Sequence, residues 1–540
     1  MRNNALRALA VALPMLPTVA KPQGELDLEA LESLNVPIGQ INIHVEDIFD
    51  LTNPQEDKKL YRFANRLHVQ TRPSTIEHVL LFERGDRFET RLLDESARAL
   101  RATGYIAETT IQATNFNVET NEVDLDVFVK DAWSLSPDIK YSRNGGETEY
   151  GLGLSEENLF GLGKSLTATY SSDIDRDERF FEYGDPNLAG TRTQLIARYA
   201  DASDGYRRGL SVSRPFYAFD SRWYVGSAFA NDQRIDSMYS LGEIVDRFSH
   251  EIRDANIEGG WSKGLFGNRS RRWLAGLSFE EDTFWPAADF GDPLLLPEDR
   301  RLAYPWLGVQ IIEDDFREMT ELNDMGRTED VPLGLNLVLR VGRTSFDSDR
   351  DATIFRANAH KGWEPGGPGQ LFLFDASAET RLEDDGTHNA IVTSTFRYYH
   401  RNLGDHLFSA SLTGVIGEEL DAENQILLGG DSGLRGYPIR YQSGENSLLL
   451  TLEQRFFTDW YPFRLLRVGY AVFLDAGRVW GQDARGSPLH GTLYDIGFGM
   501  RLTSPRSSSR DVLHIDFAFP IGAPNDVDSF QLSIEKRASF

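Results

Sequence analysis

The residue types that could do chemistry cluster between positions 429 and 480. Gly429-Gly430-Asp431-Ser432-Gly433-Leu434-Arg435-Gly436-Tyr437-Pro438 sets one arginine in a glycine-rich loop. Downstream, Leu448, Leu450 and Leu452 share one strand parity and Glu453 takes the other. Val468, Tyr470, Val472 and Leu474 likewise share a parity, and Asp475 opposes them. Successive side chains of a strand point to opposite faces, so both carboxylates leave the apolar face for the polar one. Two carboxylates on neighbouring strands can receive one guanidinium, whose planar fork donates several hydrogen bonds and stays charged at any working pH. The chemistry on offer is a charge-assisted clamp, stronger where water is partly excluded. Parity alone allows equally a solvated Arg435 beside carboxylates that line a wet space.

Other motifs are weaker. Gly161-Leu162-Gly163-Lys164-Ser165 has the end of a phosphate-binding loop, but Asn158 stands where its first glycine belongs, and the context is a turn between strands. The ten histidines show no metal-ligand spacing, and the chain has no cysteine, which removes thiolate metal sites, disulfides and cysteine nucleophiles together. Gly-x-Ser-x-Gly is absent. No catalytic residue, cofactor or metal is therefore expected, and the chain reads as a non-enzyme. Acidic runs such as Glu313-Asp314-Asp315 and Glu383-Asp384-Asp385 are expected to be solvated loops, to which divalent cations could bridge lipopolysaccharide.

The elements that must position the clamp are strands. From Trp133 to the end, period-two segments follow one another without a convincing long helix. Tyr494, Ile496, Phe498 and Met500 oppose Asp495, Gly497, Gly499 and Arg501, and Leu513, Ile515, Phe517 and Phe519 oppose His514, Asp516 and Ala518. The count comes to about 20 strands on this alternation. Connections read as short, such as Gly161–Lys164, or long, such as Asn231–Arg247 and Phe284–Arg301. The chain ends with Phe530, Leu532, Ile534, Ala538 and Phe540 on one parity. A soluble sandwich also alternates. One uninterrupted series of strands with an aromatic end instead suits a transmembrane barrel, which must close so that every backbone group is paired.

Before the barrel, Ile41, Ile43 and Val45 alternate as a strand. Leu60, Phe63, Ala64 and Leu67 form an amphipathic helix, and a second helix follows Thr90 with Leu93, Ala97 and Leu100 on its stripe. A hairpin closes the unit, with Val123, Leu125, Val127 and Val129 in its second strand. Both helices are expected to cover one side of a three-stranded sheet whose edge can accept an added strand. The alternative is a plain spacer.

Composition agrees with these readings. Net charge is −27, with 56 Lys+Arg against 83 Asp+Glu, so no nucleic-acid partner is expected. Mean hydropathy is −0.39. Arg2 and Arg7, the apolar run Ala8–Pro17 and Thr18-Val19-Ala20 read as an export signal over residues 1–20.

Phe82-Glu83-Arg84-Gly85-Asp86, Leu93 to Leu100, Gly104-Tyr105-Ile106 and the closing hairpin resemble a POTRA domain, here over residues 37–132. The loop at 429–438, together with Phe473-Leu474-Asp475-Ala476-Gly477-Arg478-Val479-Trp480, resembles the outer-membrane assembly factor superfamily of BamA-, TamA- and two-partner-secretion-type proteins. The resemblance implies a 16-stranded barrel over 133–540 in the bacterial outer membrane, with the POTRA domain in the periplasm. It implies a loop folded into the lumen, with Arg435, Gly436 and Tyr437 locked onto Glu453 and Asp475. It implies a C-terminal strand signal at Phe530, Leu532, Ile534 and Phe540. Expected partners are outer-membrane lipid and lipopolysaccharide, unfolded outer-membrane or secreted protein clients, and periplasmic proteins at the POTRA domain. The implied function is insertion or translocation of proteins at a lateral seam. Alternatives are a dedicated two-partner-type secretion pore, although only one such domain and no clear plug are legible, or a passive porin or structural barrel.

Overall fold

The computed structural model describes residues 26–538 apart from 289, 292, 294, 346, 368, 403, 405 and 482–490. The export signal expected over 1–20 and the terminal Phe540 lie outside the described residues.

The N-terminal domain is a three-stranded sheet with helices α1 (Leu28–Ser33), α2 (Lys59–Leu67), α3 (Pro73–Val79) and α4 (Thr90–Arg101). Strands β1 (Ile38–Glu46), β2 (Ile106–Asn117) and β3 (Glu122–Asp131) lie in the order β1-β3-β2. β1 runs parallel to β3, and β2 runs antiparallel to it. β3 takes the centre because every second residue, Val123, Leu125, Val127 and Val129, is apolar and buried. Asp27 caps α1 by accepting the Ala30 N–H. Pro73 opens α3, where a missing N–H costs nothing. Leu31, Ile76, Leu93 and Leu100 close the core against β3.

The sheet is thus covered by α1, α3 and α4. The expectation that α2 covers it is corrected. Leu60, Phe63 and Leu67 are 57%, 56% and 57% exposed, while Tyr61 is buried and Asn65 bonds the Phe49 backbone. A helical stripe shows that one face seeks an apolar neighbour without naming the neighbour.

Residues 135–538 form a closed antiparallel barrel of 20 strands, from β4 (Leu135–Asn144) to the last strand, Gln531–Ala538. Fifteen precede the glycine-rich loop and five follow it. The count made from alternation holds, and the 16 strands implied by resemblance do not. The additional upstream segments are ordinary staves, each paired on both sides. Strand Trp223–Ser240, for example, pairs both Gly205–Arg214 and Glu243–Phe266. The stretch 231–247, expected as a long loop, is the top of two strands of 18 and 24 residues that turn at Leu241-Gly242. Crossing hydrocarbon takes only about 9–11 residues of strand, so this pair projects well past the belt described next.

The outer surface carries large apolar side chains around the barrel, among them Leu152, Phe181, Ile257, Trp273, Leu307 and Val472. In strand Arg467–Trp480, Ala471, Phe473, Asp475 and Val479 are buried, while Tyr470, Val472 and Trp480 between them are exposed. Among the described residues no helix is long and apolar enough to cross a membrane.

The N-terminal domain sits at one mouth of the barrel. Arg72 and Thr75 bond the Gly161 turn, Arg192 bonds the Leu80 carbonyl, and Glu95 accepts the Phe219 N–H. The glycine-rich loop enters from the other mouth.

Candidate functional site

The 419–445 connection folds back into the lumen, where its short strands Ile426–Leu428 and Gln442–Gly444 pair with each other. Arg435 at its tip is 1% exposed. Nε and Nη2 donate to the two oxygens of Asp475 at 2.8 and 3.0 Å, a bidentate fork. Nη1 donates to Glu453 at 3.1 Å and to Asp516 at 3.0 Å. The guanidinium also lies over the Phe473 ring, 3.2 Å from its centre.

The cluster is wider than the sequence reading. Arg501 donates to Glu453 at 2.9 Å and to Asp516 at 2.5 Å, and Arg455 donates to Glu453 at 2.8 Å. Asp495 accepts the Gly436 N–H at 3.1 Å. Three guanidinium groups, on Arg435, Arg455 and Arg501, therefore face four carboxylates, on Glu453, Asp475, Asp495 and Asp516. The inward parity of Asp495, Arg501 and Asp516 is readable from alternation; which strands bring them together depends on register across the barrel. Gly436 is required by a close approach, because a Cβ there would stand 2.7 Å from Asp495 Cβ. Tyr437 is fully buried and its hydroxyl donates to the Tyr494 carbonyl at 3.2 Å.

The loop is also held at its outer end. Arg440 forks onto Asp175, with its Nη2 bond at 2.6 Å, and stacks on Tyr239. Asp175 lies in the 173–176 turn above the staves. Burial pushes its carboxyl up, but the Arg440 hydrogen bond and charge, together with the Tyr239 hydroxyl and the Arg176 charge, hold it below its ordinary range. The loop presses on the turn that follows β4. Gly145, at φ +52°, has no room for a Cβ against the Pro438-Ile439 backbone.

That turn adjoins the closure of the barrel. The last strand pairs its preceding neighbour at eight positions, Asp511↔Ala538 to Ala518↔Gln531, and β4 pairs its following neighbour at ten. Among the described residues, the register between the last strand and β4 holds one pair, Ile534↔Arg143. Ser533 adds a side-chain bond to Asn144. Below this, the chain entering β4 bonds the 504–510 turn: the Trp133 N–H donates to the Arg506 carbonyl, and the Ser508 N–H donates to the Trp133 carbonyl. Leu532 and Ile534 take the outward parity, opposite buried Gln531 and Ser533, and Phe530 is exposed at the strand entrance.

A second insert enters from the domain side and was not legible as a plug. Between strands Arg300–Glu313 and Asn336–Arg343 lies a hairpin, Phe316–Thr320 with Thr328–Pro332. Its tip residue Leu322 packs with Leu371, Leu373, Tyr399 and Leu407. Arg455, itself in the clamp, donates to the Leu322 carbonyl at 2.6 Å, and Thr503 donates to Asp324 at 2.9 Å. The hairpin is bolted to the N-terminal domain, since Arg101 bonds Asp330 and Glu318, and Arg98 bonds Asp314 at 2.7 Å. Glu313, expected to be solvated, is paired with Arg269 and Lys361. Glu383 is likewise paired, with Arg381 and Arg350. A lumen chamber of about 410 Å³ lies between the loop residues Asp431–Gly433 and hairpin residue Asn323.

Glu329 gives the hairpin a pH dependence. Burial pushes its carboxyl up to about 7, against the N–H groups of Leu322 and Asn323, while the Asp324 charge adds to the rise. A carboxyl raised on folding favours the folded form while it is protonated. Hairpin seating is therefore strongest in acid and is lost as pH climbs from the ordinary carboxyl range through 7. In planar bilayers the protein should leak more ions at pH 8 than at pH 5, and Glu329→Gln should remove that difference. An unchanged pH response in Glu329→Gln would assign it to other groups.

No protein-family model matches the chain, and no curated protein matches it in sequence. Among solved structures it is similar to BamA from Haemophilus ducreyi lacking POTRA domains 1–3, at 13% identity and TM-score 0.39, over 92% of this chain and 84% of that one. It is similar to CdiB from Acinetobacter baumannii at 15% identity and TM-score 0.45, over 92% and 74%. CdiB from Escherichia coli follows at 13% identity and TM-score 0.40, over 97% and 92%.

Proposed function

We propose that this chain is an outer-membrane barrel of the assembly-factor superfamily that passes client polypeptides into or across the membrane at its seam. The observation that carries the reading is the closure, which among the described residues holds one registered pair, Ile534↔Arg143, in a barrel whose other neighbouring strands pair along their length. A backbone in hydrocarbon must pair its N–H and C=O groups. A thin seam is where two strands can part at least cost, and each freed edge then offers a client strand its missing partners. The apolar belt supports a membrane location, and the domain at one mouth is read as a periplasmic POTRA module. Edge strands β1 and β2 leave it a place to hold clients or partner proteins. The clamp, through the loop wedged on Gly145, braces β4 beside the seam. No step in this account breaks or forms a covalent bond.

A passive porin is disfavoured because the lumen is filled from both mouths. A dedicated secretion pore stays the second reading, favoured by one observation: the hairpin bolted to the N-terminal domain by Arg101 could be drawn out of the lumen by a client bound there. Photo-crosslinkers placed at outward positions of β4 and of the last strand distinguish the two in cells. Seam insertion predicts client adducts from both strands, whereas lumen transport predicts adducts from Asn323 and Ser432 with none at the seam.

A further inference from the structure

The stripe of α2 that the domain does not use has a neighbour of its own kind. Tyr61 donates to the Phe463 carbonyl at 2.7 Å, and Ala64 and Leu465 pack on one cluster with Ile48, Phe49 and Trp133. This places α2 against the 458–466 turn of the barrel. Trp460, Phe463 and Leu466 of that turn are exposed, Phe463 by 77%, and they continue downward from outward Tyr470 and Val472 of strand Arg467–Trp480. Leu60, Phe63 and Leu67 extend the same apolar surface onto the domain. Beside this stripe stand exposed Lys58, which caps the helix, Lys59, Arg62 and Arg66, with Arg62 held by Asp57. In a chain of net charge −27 this is a local excess of cations.

We propose that α2 is an interfacial helix that lies on the phospholipid leaflet at the domain side of the barrel, with Leu60, Phe63 and Leu67 among the acyl chains. Two features favour lipid over a protein partner. The apolar surface is continuous with the barrel's lipid-facing belt, and the flanking cations suit anionic headgroups. The helix thereby fixes the tilt of the N-terminal domain beneath the seam, and Glu56, paired with Arg464 and Arg506, transmits that tilt to the barrel turns. The proposal rests on the barrel being membrane-embedded.

The chain has no cysteine, so single labels are clean. Full-length Phe63→Cys, Leu67→Cys, Arg62→Cys and Val472→Cys proteins would each carry an environment-sensitive fluorophore. They would be reconstituted in phosphatidylethanolamine/phosphatidylglycerol vesicles, with heat-modifiable migration confirming folding. Labels at 63 and 67 should shift to the blue and lose most of their emission to doxyl-labelled lipid, as the barrel-wall label at 472 does, while the label at 62 is quenched by aqueous iodide. Equal iodide quenching at 63 and 62, with 472 still quenched by lipid, overturns the helix assignment alone. Protection at 63 only in native outer membranes, and not in vesicles, overturns it in favour of a protein occupant. A label at 472 that lipid does not quench removes the barrel's membrane reading and this proposal with it.

Discussion

Arg435→Ala should free the inserted loop while leaving the barrel closed. The substitution leaves Arg455 and Arg501 facing the carboxylates of Glu453, Asp475, Asp495 and Asp516. Asp475 suffers most. It is fully buried, its two oxygens take the arginine's fork, and Asp495 is its cross-strand neighbour. Removing one member of a buried charge pair costs on the order of 3–5 kcal/mol, and less where water enters. Arg435→Lys should rescue in part, because one ammonium cannot fork to Asp475 and also reach Glu453 and Asp516. Asp475→Asn combined with Arg435→Ala should be less damaging than the arginine change alone, since it removes the stranded charge. A Leu434→Cys/Gly477→Cys pair reads the outcome, because a Cβ on Gly477 would stand 3.2 Å from the Leu434 methyls. The disulfide should form with Arg435 present and fail in the alanine background of a heat-modifiable barrel. Equal formation in both would show that other contacts, such as Arg440 on Asp175, hold the loop.

Much of this molecule follows from alternation. Staves with one apolar face announce themselves residue by residue, so 20 strands could be counted and Glu453 and Asp475 set on the inner wall. Parity assigns a face but says nothing of which strands become neighbours at a given height. Asp516 and Arg501 therefore joined the clamp only once register was fixed, Arg501 lying opposite His514 on the adjoining strand. The 314–335 insert shows a different limit. Its strands Phe316–Thr320 and Thr328–Pro332 are five residues each, and nothing local distinguishes such a hairpin from a turn between staves. Its place depends on Arg98 and Arg101, more than two hundred residues away. For α2, the stripe Leu60-Phe63-Leu67 gave the helix but not its neighbour, because the domain core had already been completed by α1, α3 and α4. The long strands around Leu241 read as loops in the sequence because their upper halves, Asn231 to Ser240 among them, carry polar residues on both parities above the apolar belt.

Locking the seam tests the central claim most directly. Ile534 and Arg143 are register partners across the closure, so a cysteine at each can bridge the last strand to β4 without disturbing the clamp, the hairpin or the N-terminal domain. The pair would be introduced into the full chain, reconstituted in phospholipid vesicles and supplied with an unfolded outer-membrane barrel polypeptide. Insertion would be followed by acquisition of heat-modifiable, protease-protected client. The account predicts that oxidation abolishes insertion, that reductant restores it, and that either single cysteine behaves as wild type. Undiminished insertion by the oxidised, demonstrably bridged protein would contradict it, because clients would then be reaching the membrane by a route other than the seam.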